Sequence, residues 1–208
     1  MAEFEATLLA EMLRESIKQG TTPSLAVTSN SMSPLLRSGD HVGLQELVPS
    51  KAQPGQIITF SNTGQDDLIT HRIAGIVLEN GEAKIATLGD RTLLFDVPVA
   101  PEDVVGQVIW RRRNGRTLNL MSGRGAWLSG KLEYQAREEL RRATGLRLGN
   151  NELDSESINR SNGMCRRYRK NLGARILWRI NYLWASMLAI TAEYLPNSGE
   201  TEDYASQS

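Results

Sequence analysis

The chain has 208 residues, of which 40% are hydrophobic, enough for one domain with an appendage or for two small domains. A single cysteine excludes an intrachain disulfide and a Cys-rich zinc site. The formal net charge is zero, yet residues 1–110 carry 7 Lys+Arg against 14 Asp+Glu, residues 111–180 carry 17 against 6, and residues 181–208 carry none against 4. That basic middle third implies an anionic partner surface or an internal acidic–basic contact.

Residues 3–18 predict an amphipathic helix, because Phe4, Leu8, Leu9, Met12, Leu13 and Ile17 recur at helical spacing. Gly20 and Thr21-Thr22-Pro23 end it. Glu3, Glu5, Glu11 and Glu15 leave no continuous apolar run for a secretory signal. From residue 24 the pattern changes to short strands: Leu25, Val27 and Ser29 alternate with Ala26 and Thr28. Further strands are expected at Val42–Leu47, Gln56–Phe60, Leu68–Leu78, Glu82–Leu88 and Val104–Arg112. Asn80-Gly81 and Asn114-Gly115 are hairpin signals, the second returning the chain through Thr117–Leu120.

After Ser122-Gly123 the texture becomes helical and basic. Ala126–Arg142 predicts a helix, and the polar stretch Gly145–Gly163 a loop. A second amphipathic helix spans Leu172–Tyr194, with Leu172, Ile176, Ile180, Leu183 and Met187 on one stripe reinforced by Leu177, Trp184 and Leu188. Such a stripe ordinarily packs into a core, here on the β-rich domain or on helix 3–18; with the basic 111–180 segment it could instead hold the protein on an anionic membrane face. Ile180–Ala192 is the longest apolar candidate at 13 residues, short of the roughly 20 that span a bilayer. The fold class is therefore mainly β within an α+β chain. It comprises an N-terminal helix (1–23), a β-rich domain (24–121), a basic helical extension (122–195) and a disordered tail (196–208).

Ser29-Asn30-Ser31-Met32-Ser33-Pro34, followed by Gly39-Asp40, carries the first chemical signal. Serine is a weak nucleophile until a neighbouring base takes its proton, and its transition state needs donors for a developing oxyanion. Ser31 is the candidate nucleophile, with its own N–H and the Ser29 hydroxyl as candidate oxyanion donors. Alone, the stretch also reads as a Ser-rich turn with Ser33 capping a short helix from Pro34. His71 shares a strand face with Ile69 and Ile73; it reads either as a core histidine or as a general base. His41, at a strand start, is the weaker candidate. Asp90 and Asp96 flank a turn-like segment, where either carboxylate could set the His71 tautomer, serve turn chemistry or pair with Arg91. Cys165 lies among Arg166, Arg167 and Arg169, but no motif pairs it with a histidine, so it reads as an incidental thiol.

Four segments in order resemble the type I signal peptidases, in the branch whose base is histidine rather than lysine. Ser31-Met32-Ser33-Pro34 with Gly39-Asp40 is similar to the nucleophile box, and Pro54–Phe60 to the strand that follows it. Thr70-His71-Arg72-Ile73 is similar to the His-Arg box. Gly89-Asp90-Arg91 with Asp96 and the run Pro101–Gly106 resembles the closing Gly-Asp box. The resemblance covers residues 24 to about 112. It implies a compact peptidase-like domain with Ser31 as nucleophile and His71 as base. Asp96 would be the third member with Asp90 in close support, and Ser29 a side-chain oxyanion donor. It further implies acyl-enzyme endoproteolysis without metal or organic cofactor, on peptides with small residues before the cleaved bond.

Members of that family carry a membrane helix before the nucleophile box, where this sequence has the acidic segment 3–18. The expectation is a cytoplasmic protein that trims a leader or propeptide and contacts an anionic membrane surface at most peripherally. Self-cleaving repressors of the phage type share a Ser-Met-x-Pro box, but they use lysine and begin with a helix-turn-helix; the His71 segment and the lone first helix argue against them. A non-catalytic module could grip nucleic acid through the basic 111–180 segment. No zinc knuckle or helix-turn-helix supports it, and no specific nucleic-acid partner is expected.

Overall fold

The computed structural model describes residues 3–62, 67–79, 81–146, 153–168 and 170–194; the tail expected at 196–208 lies outside them. Helix α1 (Glu3–Lys18) turns Ala10, Leu13 and Ile17 inward at spacings of three and four. Leu8, Leu9 and Met12, expected on the same stripe, face outward instead. Arg14 fastens the helix to the sheet, donating to the carbonyl oxygens of Val104 (3.1 Å) and Asp103 (2.9 Å) and to Ser61 Oγ (3.2 Å).

The strands are β1 (Ser24–Ala26), β2 (His41–Gln45), β3 (Ile57–Asn62), β4 (Asp67–Glu79), β5 (Glu82–Leu88), β6 (Val104–Arg113) and β7 (Arg116–Asn119). Among the described residues they form one sheet in the order β1-β2-β6-β3-β4-β5, with every pair antiparallel. Strand β6 is its hub. One edge pairs with β2, and the other pairs first with β3 and then, after Gln107, with β7. The predicted strands agree with these to within a few residues, as expected where alternation and Asn-Gly turns set the boundaries.

Helix α2 (Gly123–Thr144) buries Leu128, Leu132, Ala136 and Leu140, which recur every fourth residue along one side. Gly145, in the left-handed conformation at φ 74°, ends it. Leu128 and Leu132 share a core cluster with Leu13, Met32, Leu35, Val42 and Val108, so this helix is built onto the sheet.

Two expectations are corrected here. The polar stretch 145–163 is not a loop throughout, because helix α3 (Ser155–Tyr168) occupies its second half. Asp154 Oδ1 caps the helix by accepting from Ser157 N–H at 2.6 Å. Its buried residues are Ile158, Ser161 and Cys165, a stripe too small and polar to show as hydrophobic periodicity. Helix α4 (Leu172–Tyr194) forms as predicted but faces the other way. It packs through Ala185 and Ala189 and leaves Ile176, Ile180, Leu183 and Met187 exposed. Inward-facing Asn181 and Tyr182 hold polar partners in the protein, which fixes the rotation of the helix.

The turn between β1 and β2 is closed by a buried ion pair. Arg113 donates to both oxygens of Asp40 at 2.7 Å, and its Nη2 also reaches the carbonyls of Pro34 (3.3 Å) and Leu35 (3.1 Å). Arg37 N–H donates to Asp40 Oδ2 at 2.8 Å. Removing one member of a buried pair strands the other charge in low dielectric. Asp40→Ala is therefore expected to lower the unfolding free energy by about 3–5 kcal/mol, read from urea denaturation.

Candidate active site

Strand β4 places His71 and Arg72 side by side, and the pleat sends them to opposite faces. His71 Nε2 lies 2.9 Å from Ser31 Oγ, and His71 Nδ1 lies 2.6 Å from Asp96 Oδ2. Arg72 grips Asp90 with two bonds, Nε to Oδ1 at 2.8 Å and Nη2 to Oδ2 at 2.7 Å. The two carboxylates that sequence left open are thus separated: Asp96 meets the histidine, and Asp90 meets the arginine. Asp90 makes no support for His71; its partner lies on the other face. The Arg91 guanidinium lies 5.1 Å from the centre of the Tyr182 ring. His41 stays on the surface, at the start of β2.

Donor logic sets the direction of this chain of bonds. An ionised carboxylate only accepts, so Asp96 requires the proton on Nδ1. Nε2 then presents a lone pair to Ser31, whose hydroxyl must donate to it. Ser31 Oγ is left to accept from Ser29 Oγ, 3.1 Å away, and Ser29 Oγ also lies 3.5 Å from Ser31 N–H. Ser29 Oγ, one candidate oxyanion donor, therefore lies beside both the serine oxygen and the other candidate, the Ser31 N–H. Thr87 Oγ1 donates to the Asp96 oxygen that faces the histidine, at 2.7 Å, and Asp96 N–H donates to Thr87 O at 3.0 Å. A serine proton can thus pass to an imidazole whose resulting positive charge is met by a fixed carboxylate.

Three supports hold this arrangement, and two of them, Asn162 and Tyr182, had no sequence signal of their own. Asn162 on α3 clamps the residue before Asp96: its Oδ1 accepts from Phe95 N–H at 2.8 Å, and its Nδ2 donates to Phe95 O at 3.1 Å. Tyr182 on α4 bonds Ser33 Oγ at 3.0 Å, so residues 31–35 form turns held from outside rather than a Ser33-capped helix. Burial pushes the Tyr182 phenol up, but its bond to Ser33 and the nearby Arg91 cation bring it below its ordinary value. Arg91 N–H in turn donates to Ser31 O at 2.8 Å. Burial works against the charge on Arg72, and Asp90 more than offsets it, so the guanidinium is held above its ordinary value. Arg72 Nη1 also donates to Gly55 O (2.8 Å) and Ser129 Oγ (3.0 Å), tying α2 to the same node.

Gly89 is the third support. A Cβ there would lie 2.9 Å from His71 Nε2, 2.7 Å from Thr92 Oγ1 and 3.1 Å from Ser31 O. The ring nitrogen can approach the serine only because that volume is free. An open cleft of about 340 Å³, lined by Leu25, Val27, Ser29, Met32, Leu36 and Leu68 among others, lies against Ser31. Cys165 is buried in α3, in the core cluster that also holds Phe95.

No protein-family model matches the chain, and neither does any curated protein.

Gly89→Ala is expected to slow labelling of Ser31 by a fluorophosphonate by about 10²-fold, because a displacement near 1 Å is enough to misalign the base. Asn162→Ala is expected to slow it less, by about tenfold, since Thr87 still holds the Asp96 carboxylate. Both are read as labelling rates alongside thermal unfolding.

Proposed function

We propose that the protein is a serine endopeptidase of the signal-peptidase type, cleaving leader or signal peptides through an acyl-enzyme on Ser31. The observation that carries this reading is the continuous chain Thr87–Asp96–His71–Ser31–Ser29, each link within hydrogen-bond reach. His71 takes the Ser31 proton as Oγ attacks the scissile carbonyl, then returns it to the leaving amine. Water, activated by the same imidazole, releases the acyl group and restores Ser31. Ser31 N–H and the Ser29 hydroxyl stabilise the oxyanion. For Ser29 this requires its hydroxyl to turn from Ser31 Oγ towards the developing charge.

Substrate form follows from the surroundings of Ser31. Strand β1 pairs with β2 on one edge and has no strand on its other edge among the described residues. An extended peptide can add there by backbone pairing, with its side chains alternating into the cleft. The cleft is small, and its aliphatic side chains alternate with Thr28, Ser29 and Thr70, so the room beside Ser31 favours small side chains next to the cleaved bond. That agrees with the small-residue preference expected from the resemblance to signal peptidases.

The expected outcome with a leader peptide ending in Ala-x-Ala is one cleavage product, identified by mass spectrometry, and stoichiometric fluorophosphonate labelling of Ser31. Ser31→Ala abolishes both, His71→Ala reduces both to background, and Asp96→Asn lowers the rate about 10³–10⁴-fold by favouring the wrong tautomer. Asp90→Asn should act differently, lowering stability through Arg72 more than the rate per folded molecule. A wild-type protein that is neither labelled nor cleaves such peptides would refute the peptidase reading.

A further inference from the structure

The face that α4 turns to solvent is the least expected surface of the molecule. Ile176, Ile180, Leu183, Met187 and Ile190 follow one another at spacings of four and three, with Trp184 beside them. These six side chains are 47–67% exposed. The opposite side of the helix, with Ala185, Ala189, Asn181 and Tyr182, is the side that packs. An amphipathic helix ordinarily does the reverse. An apolar stripe of this kind marks a surface that functions covered.

We propose that this face lies on an anionic lipid bilayer, with α4 parallel to the membrane plane. The charges choose between a bilayer and a second copy of the chain. From residue 157 to 192 the sequence carries seven Lys+Arg and no Asp or Glu. Arg166, Arg167, Lys170 and Arg179 among them are exposed. Spacings of four and three would also suit a helix–helix seam, but the charges along its flanks set which partner it takes. Two copies of α4 would set Arg179 against a helix with no acidic residue between 172 and 192. Anionic headgroups supply the missing charge, while Trp184 suits the boundary between headgroups and acyl chains. Among the described residues no helix is long and apolar enough to cross a membrane, so α4 lies on the surface and does not traverse it.

This inference stands apart from the peptidase reading, and its test needs no catalytic readout. The full chain is floated with vesicles of phosphatidylcholine containing about 30 mol % phosphatidylglycerol and with vesicles of phosphatidylcholine alone. The wild type is expected to float with the anionic vesicles at least about tenfold better, and raising the salt is expected to weaken that binding. Leu183→Glu combined with Met187→Glu is expected to lose flotation about tenfold or more, with far-UV circular dichroism and melting unchanged because both positions are already exposed. Arg179→Gln should weaken binding to anionic vesicles while leaving the apolar stripe intact. The proposal fails if the wild type does not float. It also fails if both vesicle types serve equally or if the double variant floats as well as the wild type. Sedimentation as a dimer that the double variant converts to a monomer, with neither floating, would assign the face to a second copy instead.

Discussion

Two neighbouring side chains on β4 must point to opposite faces of the sheet, and each takes a carboxylate from the same connection between β5 and β6. His71 takes Asp96, and Arg72 takes Asp90. The pleat makes this an exclusive arrangement, because no rotamer brings one strand residue to its neighbour's face. The connection after β5 must therefore deliver Asp90 on one side and, six residues later, Asp96 on the other. Arg72 sets the first half of that path by holding a buried carboxylate with two parallel bonds. Thr87 sets the second half, since it bonds both the backbone and the side chain of Asp96. The carboxylate beside the histidine is thus held by neutral donors, and the carboxylate beside the arginine is neutralised by a cation.

The helices after β7 finish the site as much as they cover it. Ser129 on α2 reaches Arg72, Asn162 on α3 reaches Phe95, and Tyr182 on α4 reaches Ser33. One polar side chain from each helix reaches the β-rich half: Ser129 meets a strand residue, and Asn162 and Tyr182 pin irregular segments. Loop backbones buried without such partners would leave costly unsatisfied groups. Helices α2 and α4 also contribute Leu128, Leu132, Ala185 and Ala189 to the core cluster that contains Met32, next to Ser31. The basic region is therefore continuous with the β-rich one, and the chain from 24 to 121 alone lacks those three contacts.

Different physical signals explain what could be read from sequence and what could not. Strand alternation and turn chemistry located β2 to β7 closely, because both are local. Ser31 and His71 stood out because their residue types sit in an ordered set of segments, and the structure brings the two within 2.9 Å. The resemblance leaned to Asp96 for the histidine, but the residues alone left Asp90 and Asp96 open, since the choice depends on the path of a connection and on Arg72 competing for one of them. Helix α3 was hidden by its composition: three modest inward residues amid polar ones leave little periodicity. For α4 the stripe was legible but its direction was not. Periodicity identifies a face without saying what covers it, and here Asn181 and Tyr182, binding Glu139 and Ser33, turned the apolar face outward.

The single cysteine acquires a use from its position. Cys165 is buried in α3 beside the core that holds Leu88, Phe95 and Ile158, two turns of helix or less from Asn162. An alkylating reagent reaches its sulfur only when α3 lifts away from that core. The same opening withdraws Asn162 from Phe95 and so releases one restraint on the Asp96 segment. Thiol accessibility at this one position is therefore a clock for local opening next to the acidic end of the hydrogen-bonded chain, with no introduced label required.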